Sequence, residues 1–283
     1  MNFWQITLLA IIQGAAELLP VSSSAHVIVA EKLMGLDPTT PQLTLLLVML
    51  HTGTMFAVIV YFWKSWRATY FSSVSGFRRS AAYIVIATAA TGVVGLLMLG
   101  ALKHTFARNG ADFEVEQLFG NLRLVAAALA VAGLLIVGSA FVRRTTSKPM
   151  SPGAAGWIGA SQGLCLPLRG LSRSGTTISL GLMLGIARRE AEEFSFALGV
   201  VLTPVVIFQE VHRLYKANPA GASLDPWGMT QLLAPSLVGM VLSFLAGLLA
   251  LRWLSRWLEQ GRWYLFGGYC LIAAGLVFWI SQA

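Results

Sequence analysis

The chain has 283 residues, of which 56% are hydrophobic and only 11% charged, and its mean hydropathy is +0.71. A soluble domain carries about 25% charged residues, so this composition excludes an ordinary water-soluble protein and indicates an integral membrane one. The formal net charge of +8 does not point to nucleic acid, because the basic residues sit in short loops between apolar runs, where they set topology.

The first apolar run lacks a basic leading segment and contains Gln13 and Glu17, so it is expected to belong to the body of the protein rather than to a signal peptide. Residues 3–34 break at Pro20 and at Ser22, Ser23 and Ser24. They predict two helical pieces hinged at a polar tip, a re-entrant hairpin whose tip must be internal. Ser23 or Ser24 can cap the second piece, which runs to Met34 with Gly35 as its stop signal. Runs long enough to span a bilayer follow at residues 42–63, 81–102 and 121–142. Residues 154–187 break around Pro167 and Gly170 and predict a second hairpin, with Ser174 as the cap of a piece ending near Ala187. Three further spans are expected at residues 193–213, 230–251 and 263–281. The expected fold is therefore all-α and integral to the membrane, with six transmembrane helices plus two re-entrant helical hairpins.

Loop charges orient these spans. Residues 64–79 hold Lys64, Arg67, Arg78 and Arg79 without an acid, residues 143–152 hold Arg143, Arg144 and Lys148, and Arg252, Arg256 and Arg262 face only Glu259. The alternate loops are mixed: Asp112, Glu114 and Glu116 offset Lys103, Arg108 and Arg123, while Glu210 and Asp225 offset Arg213 and Lys216. The basic loops are expected in the cytoplasm, with both termini outside. Cys165 and Cys270 both lie in apolar segments and are expected as free thiols.

The two hairpins resemble each other. Gln13-Gly14 is matched by Gln162-Gly163, and ten residues after each Gln stand Ser23 and Ser172. Each hairpin precedes three spans, and the two sets start on opposite sides. The chain thus reads as one membrane domain, 1–283, built from an inverted-topology repeat: residues 1–142 with hairpin 3–34, and residues 153–283 with hairpin 154–187. Transporters often use this plan, with the site at the repeat interface and half-helix N-termini aimed at an anion.

The two tips hold the chemistry. Gln13 and Glu17 are four apart and share a helix face, where two oxygen-bearing side chains can hold a hard divalent cation once substrate phosphates complete its shell. Ser22, Ser23 and Ser24 add hydroxyls. His26 lies three residues after Ser23, so the pair could form an activated nucleophile; the histidine alone could instead attack phosphorus or protonate a leaving group. Arg173 is the strongest single candidate, since a guanidinium contacts phosphate oxygens in pairs and is always charged. Ser172, Ser174 and Thr177, with the free N–H groups of a helix start, complete a phosphate cradle. Arg169 and His51 are weaker candidates, and Glu190, Glu192 and Glu193 read as a solvated helix start. No nucleotide-binding P-loop and no zinc-type His or Cys cluster occurs in the sequence.

The stretch from Gln13 to Glu17 with Leu19-Pro20-Val21-Ser22-Ser23-Ser24-Ala25-His26, and Gly170-Leu171-Ser172-Arg173-Ser174-Gly175-Thr176-Thr177, resemble the two signature motifs of undecaprenyl-pyrophosphate phosphatases of the bacitracin-resistance type. His51-Thr52-Gly53-Thr54 and Glu190-Ala191-Glu192-Glu193-Phe194-Ser195-Phe196 also resemble family sequence, so the likeness spans nearly the whole chain. It implies a membrane phosphatase of the bacterial inner membrane that removes the terminal phosphate of a C55 isoprenyl diphosphate and regenerates the carrier lipid for wall synthesis. It also implies dependence on a divalent cation, Mg2+ or Ca2+. The expected partners are the polyprenyl diphosphate lipid and the membrane, with a homodimer admissible and nucleic acid excluded. Two departures stand out: Gln13 leaves Glu17 as the sole carboxylate of the first motif, and Arg169-Gly170 replaces the usual Pro-Gly. Serine, histidine and water all stay open as the nucleophile, and a lipid flippase on the same fold is the competing reading, distinguished by its lesser need for Glu17, Ser23 and His26 together.

Overall fold

Asn2 opens the first helix of the computed structural model with a reciprocal cap: its side chain accepts from the Gln5 amide at 2.8 Å, and the Gln5 side chain accepts from the Asn2 amide at 2.9 Å. The structure describes residues 1–37, 40–106, 121–142, 147–168, 170–217 and 226–282. Arg108, Asp112, Glu114, Glu116, Arg143, Arg144, Arg169 and Asp225 lie outside the described residues, as do the side chains of Glu210, Arg213 and Lys216.

Helix α1 (Phe3–Leu18) stops because Pro20 forces Leu19 out of the helical region, to φ −75° and ψ 151°. The chain then reverses through Ser22, whose φ of 66° is a left-handed value that a side chain adopts only under constraint. Helix α2 (Ser23–Leu33) follows at once. Neither Ser23 nor Ser24 caps it. Ser22 occupies the cap position without a side-chain cap bond, and its hydroxyl meets that of Ser24 at 3.4 Å. Then come α3 (Pro41–Thr69), α4 (Val74–Phe106) and α5 (Leu122–Ala140).

The second half repeats the order: α6 (Pro152–Cys165), α7 (Arg173–Leu184), α8 (Arg188–Ala217), α9 (Pro226–Glu259) and α10 (Tyr264–Ile280). Ser172, not Ser174, caps α7 by accepting from the Gly175 amide at 3.2 Å, and Gly185 at φ 88° ends it in a left-handed turn.

All elements among the described residues are helices apart from one isolated bridge between Lys148 and Ile186. Residues Gln42–Thr69, Val74–His104, Leu122–Ala140 and Leu233–Glu259 are long and apolar enough to cross a bilayer, while the 17-residue α10 is apolar but shorter. The other two expected spans fall on α8 and α10. The outside is apolar: Leu96, Leu134, Phe208, Ile272 and Trp279 stand exposed. Gln13, Ser22, Gln162, Ser172, Ser174 and Thr177 are buried instead. Such an inside-out distribution suits lipid and would be costly in water.

Helix α1 packs along α9, and α6 packs along α4. Both contacts depend on a glycine that follows glutamine. A Cβ on Gly14 would lie 2.6 Å from the Ser243 carbonyl oxygen, and one on Gly163 would lie 2.7 Å from that of Thr91. Close backbone approach of this kind is how apolar helices associate where no hydrophobic driving force separates them from lipid. The acidic start of α8 differs from expectation. Glu192 and Glu193 are buried; Ser255 donates to Glu192, Ser65 donates to Glu193 at 2.5 Å, and Arg189 pairs with Glu193 at 2.9 Å. These acids tie α8 to α3 and α9 rather than facing solvent. Both cysteines are free thiols, and Cys270 donates to the Pro20 carbonyl at 3.2 Å, which anchors the first tip to α10.

Candidate active site

The two polar tips meet. Ser174 at the start of α7 donates to the Leu19 carbonyl at 3.4 Å, and Arg173 Nη2 lies 3.5 Å from Glu17 Oε1. Gly170 allows the second tip to turn, with φ 109° and the Val125 carbonyl oxygen 2.5 Å from where a Cβ would sit. Between the tips is a cavity of about 120 Å³ lined by Glu17, Ser22, Ser23, Ser24, Ser172 and Arg173, among others.

Glu17 is the hub of this cavity. Its Oε2 accepts from the Ser23 hydroxyl at 2.6 Å and from Gln13 Nε2 at 3.2 Å. His51 Nε2 stands 3.9 Å from the same oxygen, and His51 Nδ1 donates to the Leu47 carbonyl at 2.8 Å. The expected serine–histidine pair is absent. Ser23 points back across the tip to the carboxylate, so Glu17 is placed to take its proton. His51, a weaker candidate from sequence, proves to belong to the surroundings of Glu17.

Arg173 is held on two sides, by Glu17 and by the Ser195 carbonyl, which accepts from Nη1 at 3.4 Å. Gly199 on α8 makes room for it: a Cβ there would come within 2.5 Å of Nη1. No sequence signal marked Gly199, because a glycine in an apolar helix reads as ordinary packing. Ser172 and Ser174 reach the cavity wall. Thr177 does not. Its hydroxyl donates to the Arg173 carbonyl at 2.8 Å and meets Ser195 Oγ at 2.6 Å, inside the α7–α8 contact. The structure therefore places Thr177 behind the arginine, in the α7–α8 contact, rather than on the cavity wall.

His26 faces a different space. Nδ1 is 2.8 Å from the Ser22 carbonyl, and Nε2 is 2.6 Å from the hydroxyl of Tyr269 on α10, with the two rings stacked at 5.7 Å. Both residues line a second, mostly apolar groove of about 480 Å³ together with Trp253, Trp257 and Phe266. Ala16 borders both spaces, so groove and polar cavity adjoin.

The residues present suit a divalent cation in one specific way. Among the described residues no cluster of three acidic, histidine or cysteine ligands occurs. Glu17 supplies one carboxylate, and Mg2+ commonly takes one or two carboxylates plus substrate phosphates. Gln13 turns its amide nitrogen toward Glu17 and is not among the residues lining the cavity. Its counterpart Gln162 is: Nε2 donates to Thr91 Oγ1 at 3.1 Å, and Oε1 is buried without a hydrogen-bond partner. Thr91 donates its single proton to the Ala87 or Gly159 carbonyl, so it can only accept from Gln162, which leaves the amide oxygen free for a hard ion or its water.

Fold and site together define an all-helical, membrane-type protein with a serine, a carboxylate and an arginine around a buried polar cavity. Residues 6–276 match the family described as bacitracin resistance protein BacA. The chain is 58% identical over 277 residues to Undecaprenyl-diphosphatase 2 of Acinetobacter baylyi, covering 98% of this chain and 97% of that protein. It is 34% identical over 288 residues to Undecaprenyl-diphosphatase 1 of Burkholderia pseudomallei, and 34% identical over the same length to Undecaprenyl-diphosphatase 2 of Burkholderia thailandensis; each match covers 96% of this chain and 95% of the relative. The chain belongs to the bacitracin resistance protein BacA family.

Proposed function

We propose that this protein hydrolyses undecaprenyl diphosphate to undecaprenyl phosphate and inorganic phosphate, recycling the carrier lipid for cell-wall synthesis and thereby opposing bacitracin. The observation that carries this reading is the 2.6 Å contact between Ser23 Oγ and Glu17 Oε2, beside Arg173 and next to an apolar groove. The terminal phosphate occupies the cavity, and the prenyl chain leaves through the groove past Trp253, Trp257 and Phe266. Burial of the chain supplies the binding energy that holds the headgroup against the tips.

Ser23 gives its proton to Glu17 as its Oγ bonds to the terminal phosphorus. The bond from that phosphorus to the bridging oxygen breaks, and prenyl phosphate departs. Water then cleaves the phosphoserine. Arg173 neutralises the charge on the transferred group, with Ser172, Ser174, Ser22 and the amides at the start of α7 as further donors. Glu17 and Gln162 would hold a Mg2+ or Ca2+ ion, which would supply additional charge neutralisation. Gln13 orients Glu17.

The proposed setting is the bacterial inner membrane. Helices α3, α4, α5, α8, α9 and α10 cross it, and the α1–α2 and α6–α7 pairs enter and return as re-entrant hairpins. The equivalence of the α1–α9 and α6–α4 contacts, each built on a Gln-Gly pair, supports an inverted repeat of residues 1–142 and 153–283. Labelling of single cysteines from outside should modify a residue near Gly110 and spare one near Ser147. The opposite pattern would sink the repeat. For the function itself, purified protein should release phosphate from C55 diphosphate and stop when EDTA is added. Protein that binds the lipid but never cleaves it would leave a flippase instead.

A further inference from the structure

His26 is clamped at both ring nitrogens. The Ser22 carbonyl can only accept, so Nδ1 carries a proton and donates to it at 2.8 Å. Nε2 therefore exchanges its hydrogen bond with the Tyr269 hydroxyl at 2.6 Å: in the neutral ring Tyr269 donates to Nε2, and in the doubly protonated ring Nε2–H donates to Tyr269 Oη. In the second case the tyrosine O–H is released to face another acceptor.

The place of this pair decides what that acceptor is. Ser22, Ser23 and Ser24 line the polar cavity; His26 and Tyr269 line the apolar groove; Ala16 separates the two. A prenyl diphosphate has its atoms in a fixed order, from chain to inner phosphate to terminal phosphate. With the terminal phosphate beside Ser23 and the chain in the groove, the inner phosphate must lie at the junction. Tyr269 is half exposed, with 46% of its surface open, and lines the groove.

We infer that Tyr269 is a second proton-carrying residue of this site, hydrogen-bonded to His26 Nε2 and passing the imidazole Nε2 proton to the phosphate that stays on the prenyl chain. The inference rests on the phosphatase reading above. When the bond between the terminal phosphorus and the bridging oxygen breaks, its electron pair stays on the bridging oxygen. Starting from the doubly protonated His26 ring, that oxygen takes the proton of Tyr269 Oη, and Oη is reprotonated from Nε2–H. His26 ends neutral, with Nδ1–H still donating to Ser22. The assignment also explains why Ser23 and His26, neighbours in sequence, are not hydrogen-bonded to each other: one serves the attacking end of the reaction and the other the departing end. A tyrosine in an apolar helix reads from sequence as an interfacial anchor, which is why it carried no signal of its own.

The test is Tyr269→Phe, which keeps the ring and its stacking and removes one oxygen. Turnover of C55 diphosphate should fall roughly tenfold or more with KM within about twofold, as expected for loss of a proton-transfer group. The double variant Tyr269→Phe with His26→Ala should be no slower than His26→Ala alone, because the two act as one unit. A spectroscopic readout is independent of activity. In histidine-15N-labelled protein the His26 signals, assigned with His26→Gln, should show Nδ1–H in both proteins, and the bare Nε2 of the neutral ring should shift downfield in Tyr269→Phe because its hydrogen-bond donor is lost. Unchanged turnover, a loss confined to KM, or multiplied losses in the double variant would overturn the role. An unchanged Nε2 signal would overturn it as well. If the wild type releases no phosphate, the phosphatase reading has failed, and the Nε2 measurement still decides whether Tyr269 is hydrogen-bonded to His26.

Discussion

Glu17→Gln is expected to reduce phosphate release by about 10³-fold, within the range for loss of a general base, while C55 diphosphate still binds. The substitution keeps the size of the side chain and a hydrogen-bonding group opposite Ser23, but an amide cannot take the serine proton. It also removes the negative charge that faces Arg173 and His51. Ser23→Ala should be equally severe, and the double variant should be little worse than either single one, since nucleophile and base act as a unit. A lipid-binding assay on the same preparations separates chemistry from affinity. Near-normal turnover in Ser23→Ala would remove serine as nucleophile and return the attack to water. Near-normal turnover in Glu17→Gln would remove the carboxylate as base.

Arg173→Lys should lower kcat by about 10²-fold with the protein still folded, comparable to loss of one donor to a developing oxyanion. Lysine keeps the charge but loses the planar fork. In this site the fork has two separate duties, toward the Ser195 carbonyl and toward Glu17, and one ammonium cannot span both. Gly199→Ala tests the same group without touching it. The new Cβ would lie 2.5 Å from Nη1, so the end of the arginine must move, which a flexible side chain can do at little cost to folding. The expected result is a loss of turnover with thermal stability nearly unchanged. Full activity in both Arg173→Ala and Gly199→Ala would place the phosphate cradle elsewhere.

Much of this molecule was legible in the sequence because the relevant physics is local or additive. Composition alone indicates a membrane protein, since charge is too scarce for water. Pro20 ends α1 through its own backbone preference, and both tips were recognisable because hydroxyls and an arginine are costly at membrane depth unless they are used. Gln13-Gly14 and Gln162-Gly163 were readable as a pair, and each glycine does meet the backbone of a neighbouring helix.

The tertiary structure decided who bonds to whom. Ser23 and His26 are three residues apart, and the spacing allows a pair. Yet Ser23 turns to Glu17 across the tip, and His26 turns to the Ser22 carbonyl and to a tyrosine 243 positions away. Thr177 belongs to the second signature motif but is drawn into the α7–α8 contact by Ser195. Glu192 and Glu193 look like surface charges and are buried because Ser255, Ser65 and Arg189 reach them from other segments or the preceding turn. In each case the sequence determined which groups were present at the tips and ends of helices. The direction each side chain takes depends on the partner that a distant helix brings within about 3 Å, and hydrogen bonds at that range are short-ranged and directional enough to override proximity along the chain.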